Sequence, residues 1–114
     1  MIPRKYRLAG KKNIELVKQK GQLFQSENFA LLVLKRSEEN LSQMGLVVSK
    51  KVARKASERN KIKRMIRLTL CQFVLQLKKG YALVLLAKPK IAGLKTRDLV
   101  AEIKPVFKKA GIIE

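Results

Sequence analysis

Apolar residues recur along this chain at two spacings, one helical and one extended, and the change from one to the other marks the elements. Ile14 and Val17 form the apolar pair of a short helix over about Lys11 to Lys20. Gly21 is placed to close it in the left-handed conformation, and Lys18 and Lys20 suit the negative end of its dipole. Leu23 to Gln25 reads as a short strand, and Phe29 to Lys35 (FALLVLK) as a stronger one with β-branched and aromatic content. After the polar turn Ser37 to Gln43, Met44 to Ser49 (MGLVVS) reads as a returning strand. The two runs are therefore expected to pair as a hairpin with a long loop. Tyr81 to Ala87 (YALVLLA) has the length of a buried strand, ended by Lys88-Pro89-Lys90 because proline cannot donate into a ladder. A last helix is predicted from Thr96 as N-cap, with Asp98 in its first turn and Leu99, Ile103, Val106 or Phe107, and Ala110 at helical spacing. Pro105 lies inside that pattern and predicts a kink or break near Lys104.

The longest amphipathic stretch begins after Val52 and is expected to stay helical to about Lys78, with Gly80 near its C-cap. Between Ala53 and Leu77, at about 100° per residue, Ile62, Ile66, Thr69, Leu70, Phe73 and Leu77 share one arc that must be buried. Lys63, Arg67, Asn60 and Arg64 fill the neighbouring arc, with Lys61 and Arg54 further round. Arg59 stands at the border, a turn ahead of the first large apolar residue. Glu58 is the single acid between Arg54 and Arg67, and is expected to pair within the helix. One helix thus carries a core stripe beside a cationic flank, and that flank points to a polyanion.

The order helix, strands, helix, strand, helix gives an α+β fold, a two-layer α-β sandwich with one small sheet. The strands before and after the basic helix are both close to fully apolar, as in a parallel pair joined by a crossover. General base rates make such a crossover right-handed. The length of 114 residues suits a single domain over 1–114, with residues 1–10 (MIPRKYRLAG) as a basic, extended N-terminal arm.

Charge sharpens this picture. Twenty-seven Lys and Arg against 8 Asp and Glu leave a formal net charge of +19, so an anionic partner would relieve the chain's self-repulsion. Nucleic acid is favoured over a membrane surface, whose amphipathic helices usually carry boundary Trp, absent here. Cys71 is the only cysteine and no histidine occurs, which excludes an internal disulfide, a His-ligated metal and a histidine general base. No apolar run approaches a membrane span and MIPRKYRL is not a signal peptide, so a cytoplasmic location is expected.

Catalysis by the protein itself lacks its ingredients. The acids Glu15, Glu27, Glu38, Glu39, Glu58, Asp98, Glu102 and Glu114 form no clustered metal-ligand pattern, and no phosphate-cradling glycine loop is present. Neither catalytic nor metal-binding residues are therefore assigned. RNA or DNA binding through phosphates is the better-supported use, with affinity falling steeply as salt rises. Phe29, Phe73 and Phe107 lie in periodic apolar runs and are assigned to the core, while Tyr6 in the basic arm is least committed to packing.

The run Met44-Gly45-Leu46-Val47-Val48-Ser49-Lys50-Lys51, then Ala56, then Arg59-Asn60-Lys61-Ile62-Lys63-Arg64 with Arg67, resembles the signature of the protein subunit of bacterial ribonuclease P. Arg7-Leu8, Gly21, Gly80 and Lys88-Pro89 extend the resemblance over nearly the whole chain. It implies a mixed sheet of the type shared with a ribosomal S5 domain, with a left-handed β-α-β crossover instead of the right-handed one. It also implies a role in removing the 5′ leader of precursor tRNA, an endonuclease reaction in which the RNA subunit performs the hydrolysis with Mg²⁺. The protein would act as a monomer within that ribonucleoprotein. Carried over, Arg59, Asn60, Lys61, Lys63, Arg64 and Arg67, with Ser49, Lys50 and Lys51 at the strand end, would contact the catalytic RNA. A leader cleft between sheet and first helix would fall on Ile14, Lys18 and Leu32. Aromatics are more usual at those three positions, Lys61 stands where Arg is commoner, and Leu68 replaces a common acid.

Two other readings compete. Composition alone fits a structural ribosomal or ribosome-assembly protein, against which stands the Val-Ser-Lys-Lys to Arg-Asn-x-x-Lys-Arg spacing. A module reading the DNA major groove is disfavoured, because the apolar face continues directly from the basic segment and would bury part of it.

Overall fold

The computed structural model describes residues 2–114. Among them, β1 (Gln22–Gln25), β2 (Phe29–Lys35), β3 (Gln43–Val47) and β4 (Tyr81–Ala87) form one sheet in the order β1-β2-β4-β3. The α-helices are α1 (Lys11–Lys20), α2 (Ala56–Cys71) and α3 (Thr96–Ala110), and 3-10 turns lie at Arg4–Tyr6 and Pro89–Ile91. The sheet is mixed: β2 runs antiparallel to β1 and β4, and β3 runs parallel to β4. Helix α2 joins that parallel pair as the predicted crossover.

The expected hairpin between Phe29–Lys35 and the Met44 run does not form, because β4 lies between them. β4 is buried from Ala82 to Leu85, and an apolar strand of this kind is stabilised best with a neighbour on each edge. The loop after β2 enforces this placement. The Arg36 amide donates to the Gly80 carbonyl at 2.5 Å, and the Gly80 amide donates to Asn40 O at 2.9 Å. The buried Ser42 hydroxyl donates to Lys78 O and accepts from the Tyr81 amide at 3.0 Å. The loop is thereby clamped to the start of β4 and delivers β3 to that strand's far edge.

Side chains alternate between the two faces of the sheet. On one face Leu31, Val33, Met44, Leu83 and Leu85 meet Ile62, Ile66 and Leu70 of α2 and Leu99, Ile103 and Phe107 of α3. Phe73 and Phe107 pack edge to face with centroids 5.2 Å apart at 65°, a favourable quadrupole geometry. On the other face Leu32, Ala82 and Val84 meet Leu8 and Val17, with Ile14, Leu34, Val47 and Leu86 partly buried around them.

Five local expectations are corrected. Gly21 is extended (φ −73°, ψ 156°), not left-handed; a Cβ there would lie 2.5 Å from the Val17 carbonyl, so close approach is what requires glycine. Helix α2 ends at Cys71 instead of near Lys78, and Gly80 opens β4 instead of capping the helix. Its 16 residues already span about 24 Å, against about 17 Å for β3, so further turns would carry the chain past the sheet it must re-enter. Helix α3 runs unbroken through Pro105, with Lys95 in the cap position before Thr96. Pro105 and Ala101 are both exposed, so water can satisfy the carbonyl that proline leaves free.

The N-terminal residues also differ from a free extended arm. Ile2 and Leu8 are buried, Arg7 forms a parallel bridge with Met44, and the Leu8 amide donates to Met44 O at 2.8 Å. The segment covers the outer edge of β3, which would otherwise present unpaired backbone groups.

Candidate nucleic-acid interface

The apolar arc of α2 is seated as its spacing predicts: Ile62, Ile66, Thr69 and Leu70 are buried, as is Phe73 just beyond, with Leu77 only partly so. Seating that arc turns Asn60, Arg64 and Arg67 outward, where with Leu68 they line a recess of about 290 Å³. Lys63, next to the buried arc, is half-buried. Lys61 lies further round and lines a separate recess of about 450 Å³ with Met65, Leu94 and Lys95.

Glu58 is exposed and makes no ion pair among the described residues, contrary to the intrahelical pairing expected of it. Its place in the first turn suits the positive end of the helix dipole instead. The cations of the outer flank are therefore uncompensated.

Arg59 has a role that its spacing only hinted at. Half-buried, its Nη1 donates to Ala53 O at 3.0 Å and to Arg54 O at 2.7 Å. One guanidinium thus fastens the backbone leading into α2. That backbone carries Lys50, Lys51 and Arg54, which border a recess of about 620 Å³, while Ser49 O accepts from the Val52 amide at 3.0 Å to form the preceding turn. Ser49, Lys50 and Lys51 are exposed just past the end of β3. Arg59 was legible as a border residue, but its carbonyl partners lie outside any helical repeat.

On the opposite face α1 rests on β2 and β4, with Leu32 buried beneath it, Ile14 half-buried and Lys18 exposed, 3.7 Å from Glu15. The three predicted cleft residues therefore share one side of the sheet, although Leu32 has only 7% of its surface accessible. The more open apolar residue on that side is Leu23 of β1, at 50%, which spacing within α1 could not indicate. The two faces meet at the β3 edge. Arg67 of α2 lines a recess of about 130 Å³ together with Arg7, Leu8, Ile14, Gly45 and Leu46. Arg67 thus borders both its own flank and the α1 side, and Arg7 joins it there.

A polar cluster ties α3 to the β1–β2 turn. Glu102 accepts from Ser26 Oγ at 2.5 Å, from Asn28 Nδ2 at 2.6 Å and from the Asn28 amide at 3.0 Å, while Lys88 Nζ donates to Ser26 O at 2.6 Å. Burial pushes the Glu102 carboxyl up, but the Asn28 side chain, the Ser26 hydroxyl, the Asn28 amide and the Lys88 charge together outweigh it and hold it below its ordinary value. Among the described residues no three His, Cys, Asp or Glu side chains gather as metal ligands, and no helix is long and apolar enough to cross a membrane.

A mixed sheet between helical layers, with uncompensated cations along its crossover helix, defines a small basic α+β protein suited to RNA phosphates. Comparison with known proteins makes this specific. The family model for ribonuclease P matches residues 2–111, and the chain belongs to that family, the protein component of a bacterial endoribonuclease. It is 32% identical to the ribonuclease P protein component of Synechocystis over 99% of this chain and 91% of that one. Its fold matches the Staphylococcus aureus RNase P protein with a TM-score of 0.81 at 23% identity, covering 96% of this chain and 98% of the other. It also matches the RNase P protein from Thermotoga maritima with a TM-score of 0.79 at 25% identity, covering 90% and 96%.

Proposed function

We propose that this chain is the non-catalytic subunit of ribonuclease P, acting as a monomer in the cytoplasm to help remove the 5′ leader of precursor tRNA. In this reading the RNA subunit, with its Mg²⁺, performs the hydrolysis. The protein grips that RNA through Asn60, Lys61, Lys63, Arg64 and Arg67, with Ser49, Lys50 and Lys51 at the neighbouring strand end. Arg59 contributes chiefly by holding that strand end in place. The leader of the substrate lies over α1 and the sheet, near Ile14, Lys18 and Leu32. These aliphatic and cationic side chains favour contact with the leader's backbone over stacking on its bases.

The observation that carries this is the outward stripe Asn60–Arg64–Arg67 on a helix whose single acid is unpaired, in a chain of this family. Such a stripe can replace part of the ion atmosphere around RNA phosphates. Adding the protein to ribonuclease P RNA should therefore lower the Mg²⁺ needed to cleave precursor tRNA. The double variant Arg64→Ala/Arg67→Ala should return the requirement toward that of RNA alone. Cleavage at low Mg²⁺ that is indifferent to the protein would defeat the proposal. Nothing favours the ribosomal alternative.

A further inference from the structure

The recess beside Lys61 is separate from the Asn60–Arg64–Arg67 stripe, and its lining is of a different kind. Buried Ile62 and Ile91, with half-buried Met65 and Leu94, give it an apolar interior. Lys61 of α2 and Lys95, at the start of α3, are the exposed cations of its rim. No acid lines it, and neither lysine has an ion pair among the described residues. Glu58 and Asp98, each three residues from one of these lysines, are not part of the lining. Gly93 turns the loop past the mouth at φ 86° and puts no side chain into it. At about 450 Å³ the recess has the size of a small-molecule site.

We infer that this recess receives one unpaired nucleotide of the RNA partner, an inference resting on the RNA-binding reading above. The base lies against Met65 and Leu94, and its phosphate lies between Lys61 and Lys95. Unpaired RNA nucleotides can turn their bases out of the stack and into protein pockets. A thioether is polarisable and makes favourable contacts with aromatic rings, so Met65 can serve in a recess that has no aromatic residue. Thr96, at the mouth, adds a hydroxyl that can donate to or accept from the edge of a base. An isolated phosphate would answer the two lysines and leave the apolar interior unused.

The position of the recess ties it to the same polymer. Lys61, Arg64 and Leu68 follow one another along α2 at three- and four-residue spacing, and all three are exposed. Neighbours at that spacing stand about 5–6 Å apart at Cβ, so the three form one outward ridge. Arg64 and Leu68 border the recess that also holds Asn60 and Arg67, whereas Lys61 borders the one that holds Met65. An RNA strand gripped by the stripe has only this ridge to cross to reach the second recess. The cations on both sides can neutralise its phosphates along the way.

Two measurements test this. In the free protein with isotope-labelled methionine methyls, pentaadenylate should move the Met65 resonance upfield to saturation, through the ring current of the base. Inorganic phosphate should leave it in place, and Lys95→Gln should weaken the response to pentaadenylate severalfold. A Met65 methyl that ignores pentaadenylate, or follows inorganic phosphate equally, overturns the inference. In the complex with ribonuclease P RNA, Lys95→Gln should reduce the slope of log affinity against log salt by about 0.7–0.9. Lys95 is exposed, so its variant tests contact and not packing. Met65→Gln should weaken binding severalfold with the slope unchanged, because it removes an apolar contact and no charge. Lys109→Gln, about 20 Å away along α3, should keep the wild-type slope and controls for general loss of charge. A wild-type slope in Lys95→Gln, an equal reduction in Lys109→Gln, or wild-type affinity in Met65→Gln overturns the inference. With Arg64→Ala measured alongside, a lowered slope in that variant alone withdraws only this recess. Binding without salt dependence in the wild type and every variant withdraws the RNA-binding reading as well.

Discussion

On one side of the sheet α2 and α3 bury Ile66, Leu99, Ile103 and Phe107 completely, and Ile112 and Ile113 close the layer behind them. On the other side α1 buries Val17 alone, leaves Leu16 exposed and covers only part of the strands. The helices differ in the same sense: α2 and α3 have broad apolar arcs, whereas α1 is a ten-residue helix rich in lysine. The deep face therefore supplies most of the stability. It fixes the helix whose outward flank carries cations, while the thin face leaves a ledge of sheet accessible beside a basic helix. The flank is positioned rigidly because its reverse side is core, and the ledge is open because so little packs on it.

The sharpest break of this contrast is a pair of truncations. Phe107→Ala removes a fully buried ring stacked edge-on against Phe73, and should cost about 3–5 kcal/mol. Val17→Ala on the thin face removes two methyl-sized groups and should cost about 1.5 kcal/mol. Urea denaturation of both variants checks this, and equal losses would mean that the faces do not differ as described.

Glu102 sharpens the comparison, because its cluster holds the β1–β2 turn, the support of the thin face, from the helical side. Glu102→Gln removes charge-assisted hydrogen bonds at a partly exposed site, so about 1.5 kcal/mol is expected at neutral pH. The sign of the pH effect follows from the depressed carboxyl. The unfolded group titrates near 4.5 and the folded group lower, so its contribution is complete above about 4.5 and is lost as pH falls through the folded value. The stability gap between wild type and Glu102→Gln should thus be flat from neutral pH to about 5 and close in acid. Hydrogen exchange should show β1 amides loosening more than those of β4. A gap that widens in acid would reverse the assignment.

Repeating patterns explain which parts were legible before the structure. α1, β2 and β4 fall where periodicity set them, and the buried and cationic arcs of α2 follow directly from its spacing. What periodicity does not encode is pairing. FALLVLK and MGLVVS suit a hairpin equally well, and only the clamp of the Arg36 and Asn40 backbone and the Ser42 hydroxyl on Lys78 to Tyr81 excludes it. Ile2 and Leu8 escaped notice for a related reason, since two apolar residues among Arg4, Lys5 and Arg7 show no period yet dock on an edge strand. Of the candidate interface, Asn60, Arg64 and Arg67 were readable as one stripe. The junction of Arg67 with Arg7 needed the β3 edge in three dimensions.

The smallest effect separates two arginines five residues apart that the charge pattern treats alike. Arg59 donates to the carbonyls of Ala53 and Arg54, whereas Arg64 is exposed with no protein acceptor among the described residues. Arg59→Ala should therefore cost about 1 kcal/mol of folding stability, and Arg64→Ala less than about 0.5 kcal/mol. Both should weaken binding to ribonuclease P RNA, for different reasons: Arg64→Ala removes a phosphate partner, while Arg59→Ala frees the turn that presents Lys50 and Lys51. Arg59→Lys separates the two roles, because it keeps the charge but loses the planar guanidinium whose Nη1 bridges both carbonyls. If Arg59→Lys binds RNA like wild type while Arg59→Ala does not, charge is the contribution of Arg59. If both bind poorly and exchange their Val52 to Lys55 amides faster, Arg59 acts by holding the strand end against α2.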